Sequence, residues 1–253
     1  MTDDSESLLP IVQVIGVAYT FKPSLAVRHH LTKSSSGDHS SKDRDFSYFY
    51  KGDQNSILGH NQQLYLRNDP ATGKIARHWP EPELAILLGR RHDVIAYTLA
   101  NDLTAISIEA RGRTAAVDGT YEGKVWFKSG SLGPRFLPAS AIDNAYKLEI
   151  GLTIERSGRT LYNQTYSTSR SLRSFGAIPD QIVDCFKGYN NELPPSKRIM
   201  LDDEGFLVPG TVVMLGTGLI VSERHALQPG DVTIITCRSI GELRNLLTTP
   251  QDD

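Results

Sequence analysis

Cysteine is almost missing: Cys185 and Cys237 are the only two in 253 residues, and they form no C-x-x-C pair. That excludes a disulfide scaffold and a cysteine-rich zinc site, and suits a reducing compartment. Charge of one sign is missing too, since 27 basic and 29 acidic side chains leave a formal −2. A balanced chain gives no electrostatic reason to expect nucleic acid or an anionic membrane as a partner. No apolar run approaches the roughly 20 residues that cross a bilayer. The opening MTDDSESLLP is acidic where a secretion signal would be basic. The expectation is a cytoplasmic protein with neither membrane nor nucleic acid attached. There is also no H-E-x-x-H, no G-x-S-x-G elbow, and no histidine pair at metal-binding spacing among the seven histidines.

What is present is mostly strand. Ile11 to Ala18, Gln63 to Leu66, Glu83 to Leu88, Val94 to Leu99 and Lys147 to Ile154 have strand-like composition. Thr211 to Leu215 and Asp231 to Thr236 do as well, and each follows a Pro-Gly turn signal. A short helix is predicted to start near Ile178, where Pro179 interrupts an apolar spacing of three and four. Many short strands with 21 glycines and 13 prolines predict one mainly β domain, barrel-like or made of several packed sheets. The polar run Ser34 to Asp45 cannot bury a face of its own; it reads as a loop, either a surface insertion or a lid.

The chemically informative stretch is HWPEPELAILLG, His78 to Gly89. Glu81 and Glu83 flank Pro82, and in extended chain residues two apart point to one side. Two like charges held together need water, a shared proton or a cation. Hard carboxylate oxygens suit Mg²⁺, Mn²⁺ or Ca²⁺ better than zinc or copper. Taken alone, E-P-E reads as a solvated strand edge. Asp102 follows the next strand-like run and is either a third carboxylate for the pair or a turn residue.

EPELAILLG, GRRHDVIAYTLANDLTA, KVWFKSGSLGP, VVMLGTG and LQPGDVTIITCRSIGELRN follow one another in order. This ordered set resembles the fumarylacetoacetate hydrolase family, and the 19-residue step from Glu83 to Asp102, the G-T-G and the closing IGELRN are most like its 2-keto-3-deoxy-arabinonate dehydratase branch. The resemblance implies a mainly β fold of mixed, rolled sheets with a few short helices, usually a homodimer, with one divalent metal. It divides the chain into an N-terminal segment, 1–62, and a catalytic domain, 63–253. It puts Glu81, Glu83 and Asp102 on the metal ligands and Lys124 on the active-site lysine, with Lys128 a nearby alternative. Thr217, between Gly216 and Gly218, falls on the residue facing the substrate's carboxylate end. FSYFYKGDQNSILGH looks like the family's early substrate-side segment, which makes Lys51 and His60 further binding candidates. His60 and His78 are secondary acid/base candidates.

Two departures matter. Where the family usually carries an arginine after N-D, this chain has Ile106, and an isoleucine cannot pair with an anion; Arg111 and Arg113 lie a few residues on. The His-Glu dyad that activates water in hydrolase members is also missing after Tyr19, which weighs against simple C–C hydrolysis. The implied activity is therefore a Mg²⁺-dependent lyase dehydrating a 2-oxo acid or related β-oxygenated carbonyl compound through a metal-stabilised enolate. The alternatives are a hydrolase or decarboxylase of an acylpyruvate-like compound at the same metal site, and a catalytically inactive binding protein.

Overall fold

A computed structural model describes residues 9–21, 47–112, 119–188 and 199–250. Its strands are β1 (Gln13–Ala18), β2 (Ser47–Gly52), β3 (Gln63–Tyr65), β4 (His78–Trp79), β5 (Pro82–Leu88), β6 (Val94–Asp102), β7 (Thr104–Ala105), β8 (Gly130–Leu132) and β9 (Leu137–Pro138). They continue with β10 (Glu149–Arg156), β11 (Arg159–Ser167), β12 (Thr211–Met214), β13 (Val232–Cys237) and β14 (Gly241–Thr248). Among the described residues the α-helices are α1 (Ile106–Gly112), α2 (Gly119–Lys124) and α3 (Ile178–Gly188).

One sheet runs β2-β1-β12-β5-β6-β8 with β9 beside β6; a second runs β11-β10-β13-β14-β3. The β1–β12 and β14–β3 pairs are parallel and the rest antiparallel, so the expected mixed, mainly β fold is what forms. Segment 1–62 supplies β1 and β2 to the same sheet as β5, β6 and β12. The polar stretch 34–45 lies outside the described residues. Among the described residues no helix is long and apolar enough to cross a membrane.

β5 shows why ELAILL is a continuous apolar run rather than an alternating one. Leu84, Ile86 and Leu88 join the main core with Ile150, Leu152 and Ile154 of β10, whereas Ala85 and Leu87 pack on the opposite face with Val14, Val212 and Met214. A strand covered on both sides needs apolar residues at every position. Pro82 takes the first position of β5, where a missing N–H does least harm to the ladder. The predicted helix begins at Ile178 with Pro179 in its first turn, where that ring is tolerated.

The terminal P-G-D has a structural job. Gly230 adopts φ +89° in the turn. The Asp231 carboxylate accepts the Gln228 N–H at 2.8 Å and the two-pronged Arg156 guanidinium at 2.7 and 2.8 Å, fixing the entry to β13.

Candidate active site

The β5–β6 hairpin assembles the acidic cluster. Pro82 pairs with Asn101 and Glu83 with Ala100 across the ladder, and the Asp102 N–H donates to the Glu81 carbonyl at 3.0 Å. That register sets Asp102 opposite Glu81, on the face that Glu83 shares. One carboxylate oxygen from each of Glu81, Glu83 and Asp102 lies within 4.8 Å of the others. Oxygens on opposite sides of Mg²⁺ stand about 4.2 Å apart at a metal–oxygen distance of about 2.1 Å, so this donor set has the size and hardness for such an ion.

Two buried ammonium groups meet the cluster. Lys124, at the end of α2, donates to Asp102 Oδ2 (2.7 Å), Glu81 Oε2 (2.9 Å) and Thr104 Oγ1 (2.7 Å). The Thr104 hydroxyl in turn donates a hydrogen bond to Glu81 Oε1 at 3.0 Å. Burial opposes the charge on Lys124, but Asp102 and Glu81 outweigh it and hold its pKa well above the ordinary lysine value. Lys51 of β2 lies beneath, its Nζ 2.5 Å from Asp102 Oδ1 and donating to the carbonyls of Leu103 and Lys124. For Lys51 burial prevails over the pull of Asp102 and lowers the pKa. The carboxyls divide in the same way. Burial raises Asp102, yet Lys124 and Lys51 bring it below its usual value. Burial, with Asp102 and Glu81 adding to it, drives Glu83 well upward, and burial also raises Glu81 against the pull of Lys124.

The G-T-G turn is bound to this cluster directly. Gly216 N–H donates to Glu83 Oε2 at 2.6 Å. Gly216 has φ +80°, and a Cβ there would stand 2.1 Å from Thr20 Oγ1, so glycine is required on both counts. A Cβ on Gly218 would lie 2.3 Å from the ring of Tyr166. Tyr166, on β11 of the second sheet, also donates its hydroxyl to the Pro82 carbonyl at 3.0 Å. One side chain thereby fixes both the E-P-E segment and the turn. Burial, aided by the Glu83 charge, keeps this phenol well above its ordinary pKa.

A partly open cleft lies over these groups. Glu81, Lys124, Gly216 and Thr217 line it together with Glu109 of α1. The predicted residues thus divide. Glu81, Glu83, Asp102, Lys124, Gly216 and Thr217 come together, and Gly218 packs on Tyr166. Lys51, expected on the substrate side, is fully buried behind Asp102 and does not line the cleft. His60 is elsewhere, its Nδ1 accepting the Arg244 N–H at 3.1 Å. His78 is buried, accepts the Arg67 N–H on Nε2 and is pushed by burial to a pKa of about 4. Lys128 sits over the Tyr65 ring and bonds its hydroxyl, which separates it from Lys124. Arg111 forms a fork with Asp69 at 2.6 Å, and Arg113 lies outside the described residues. Sequence reasoning missed Thr104, Glu109 and Tyr166. Thr104 and Glu109 follow Asp102 closely, whereas Tyr166 lies in a polar strand with no local signal.

Residues 19–248 match the family described as fumarylacetoacetate (FAA) hydrolase C-terminal. A Haloferax volcanii protein named as a probable 2-keto-3-deoxyxylonate dehydratase is 33% identical over 171 residues, 67% of this chain and 50% of its own. The 2-dehydro-3-deoxy-D-arabinonate dehydratase of Saccharolobus solfataricus is 26% identical over 197 residues, 77% of this chain and 56% of its own. This chain thus spans about half the length of the curated relatives it matches. A structure of 2-keto-3-deoxy-D-arabinonate dehydratase complexed with magnesium and 2,5-dioxopentanoate superposes with a TM-score of 0.72 at 20% identity, covering 96% of this chain and 75% of that one. At that identity the likeness shows the shared fold.

Proposed function

This chain belongs to the fumarylacetoacetate hydrolase family, and from that premise we propose that it is a divalent-metal-dependent lyase that dehydrates a 2-oxo acid of the 3-deoxy type. The observation carrying this reading is the convergence of Glu81, Glu83 and Asp102 within 4.8 Å, beside a buried lysine and under a cleft. Two dehydratases of 2-oxo-3-deoxy acids among the relatives support the reaction class.

Glu81, Glu83 and Asp102 would hold the ion, Mg²⁺ first and Mn²⁺ or Ca²⁺ as alternatives, leaving positions open for the substrate. When bound, such an ion polarises a keto oxygen and acidifies the neighbouring C–H. The chain's own residues do the rest. The Lys124 ammonium faces the region where negative charge develops on the substrate and stabilises it electrostatically. The turn Gly216–Gly218 presents Thr217 to the substrate carboxylate, and its backbone is held by Glu83. In the reaction one C–H and the adjacent C–O bond break, a C=C bond forms, and the proton leaves with the hydroxide as water. We read the working form as a cytoplasmic homodimer, on the family resemblance alone.

The test is incubation with Mg²⁺ and a panel of 3-deoxy-2-oxo acids and acylpyruvates, with products read by mass. A product lighter by one water is expected; two smaller fragments would mean bond cleavage instead. Glu81→Ala and Asp102→Ala should each abolish turnover in a folded protein, and full turnover in either would remove the metal site from the reaction. Calorimetric titration of Mg²⁺ into the wild type and Glu83→Ala separates an enzyme from an inactive binder, which would show no metal uptake.

A further inference from the structure

We propose that the substrate's tail, beyond the carbons that react, is apolar and uncharged, and that Ile106 at the start of α1 sets this preference. The inference rests on the dehydratase reading and adds the substrate class. The cleft has two chemically distinct parts. Next to the acidic cluster it is lined by Glu81, Lys124 and Thr217, which are polar and largely buried. The remainder is formed by Val17, Trp79, Ile106, Leu219, Ile220 and Val221. Ile106, Trp79 and Leu219 are half-buried and Ile220 is 37% exposed, so this apolar part reaches the mouth.

Among the described residues lining the cleft, the only basic side chain is Lys124, and its three N–H groups already go to Asp102, Glu81 and Thr104. Nearby cations are engaged elsewhere: Arg111 with Asp69, and Arg67 with the Glu122 carbonyl. The other charged groups on the wall are Glu81 and Glu109, both acidic and the latter only 2% exposed, and neither offers a second carboxylate an attractive partner. Among the described residues, a terminal anion would meet apolar walls and no basic partner, an environment that strongly disfavours it. A hydrocarbon tail gains from the same walls, each buried methylene contributing roughly fourfold in affinity.

The test compares pyruvate, 2-oxohexanoate and 2-oxoadipate, each binding in the presence of Mg²⁺, by calorimetry and by quenching of tryptophan emission, since Trp79 lines the cleft. The last two have equal carbon number and differ only in a terminal methyl or carboxylate. The expected result is 2-oxohexanoate binding at least about tenfold tighter than pyruvate, and 2-oxoadipate no tighter than pyruvate. Ile106→Arg should reverse the order of the two longer acids. Tighter binding of 2-oxoadipate than 2-oxohexanoate to the wild type overturns the inference and leaves the metal site standing. An unchanged ratio in a folded Ile106→Arg protein removes Ile106 as the determinant. If even pyruvate fails to bind with Mg²⁺ present, the dehydratase reading itself falls, and this inference with it.

Discussion

Replacing Lys124 with methionine tests how the buried charges balance. Three carboxyl groups and the two lysines Lys51 and Lys124 share the cluster, so each lysine lost leaves the carboxyls less compensated. Lys124→Met keeps the length of the side chain but removes the ammonium that donates to both carboxylates at 2.9 and 2.7 Å. Removing one partner of a buried pair costs about 3–5 kcal/mol, because the charge left behind has lost its compensation. For a domain of this size each kcal/mol is worth roughly 2–4 °C, so Tm should fall by about 6–20 °C without metal. A divalent ion restores the missing positive charge, so Mg²⁺ should stabilise the variant more than the wild type; each tenfold gain in affinity appears as about 1.4 kcal/mol at saturating ion. Urea unfolding of both proteins, with and without Mg²⁺, measures each quantity. A metal-free loss below about 1 kcal/mol, or an equal Mg²⁺ effect on the two proteins, would refute the charge accounting. Turnover should be lost in either case.

Tyr166→Phe keeps the ring on Gly218 and deletes the hydroxyl bonded to the Pro82 carbonyl. It should cost about 1–3 kcal/mol and weaken Mg²⁺ binding several-fold; unaltered metal affinity by calorimetry would show that Tyr166 does not steer the flanking glutamates. Gly216→Ala places a Cβ 2.1 Å from Thr20 Oγ1 at φ +80° and should destabilise by more than about 1 kcal/mol, as denaturant titration would report. His78 titrates near 6.5 when unfolded and about 4 when folded. Between those values the unfolded chain binds more protons, so the contribution is intact above pH 6.5 and lost as the pH falls toward 4. Its full size is about 3 kcal/mol, and stability curves for His78→Gln should be flatter across that window; curves parallel to the wild type would contradict it.

Much of the site was legible because its pieces are short-range. Glu81, Pro82 and Glu83 declare their common side in three residues, and the buried run ELAILL announces the strand behind them. Lys124 and the G-T-G turn were found through their place in an ordered set of segments. What escaped notice depends on the second sheet. β11 is largely exposed and polar, so RTLYNQTYS carries no apolar run to mark it as a strand. Tyr166 is buried at its far end, its ring edge-on to Phe21 and close to Gly218, an arrangement no local pattern encodes. Lys51 reads as a substrate-side residue only through the likeness of FSYFYKGDQNSILGH to the family's early segment, whereas tertiary packing draws it completely inside behind Asp102.

The three acidic residues belong to a single hairpin, with all of Glu81 to Asp102 inside one chain reversal. Bringing them together requires closure of a loop of only about 20 residues, a small entropic demand compared with the long-range pairing of β1 with β12. A cation held by this hairpin would therefore be gripped early, while much of the two larger sheets is still unformed. Its benefit should show as faster refolding, with the departure of the ion marking a late event when the protein comes apart.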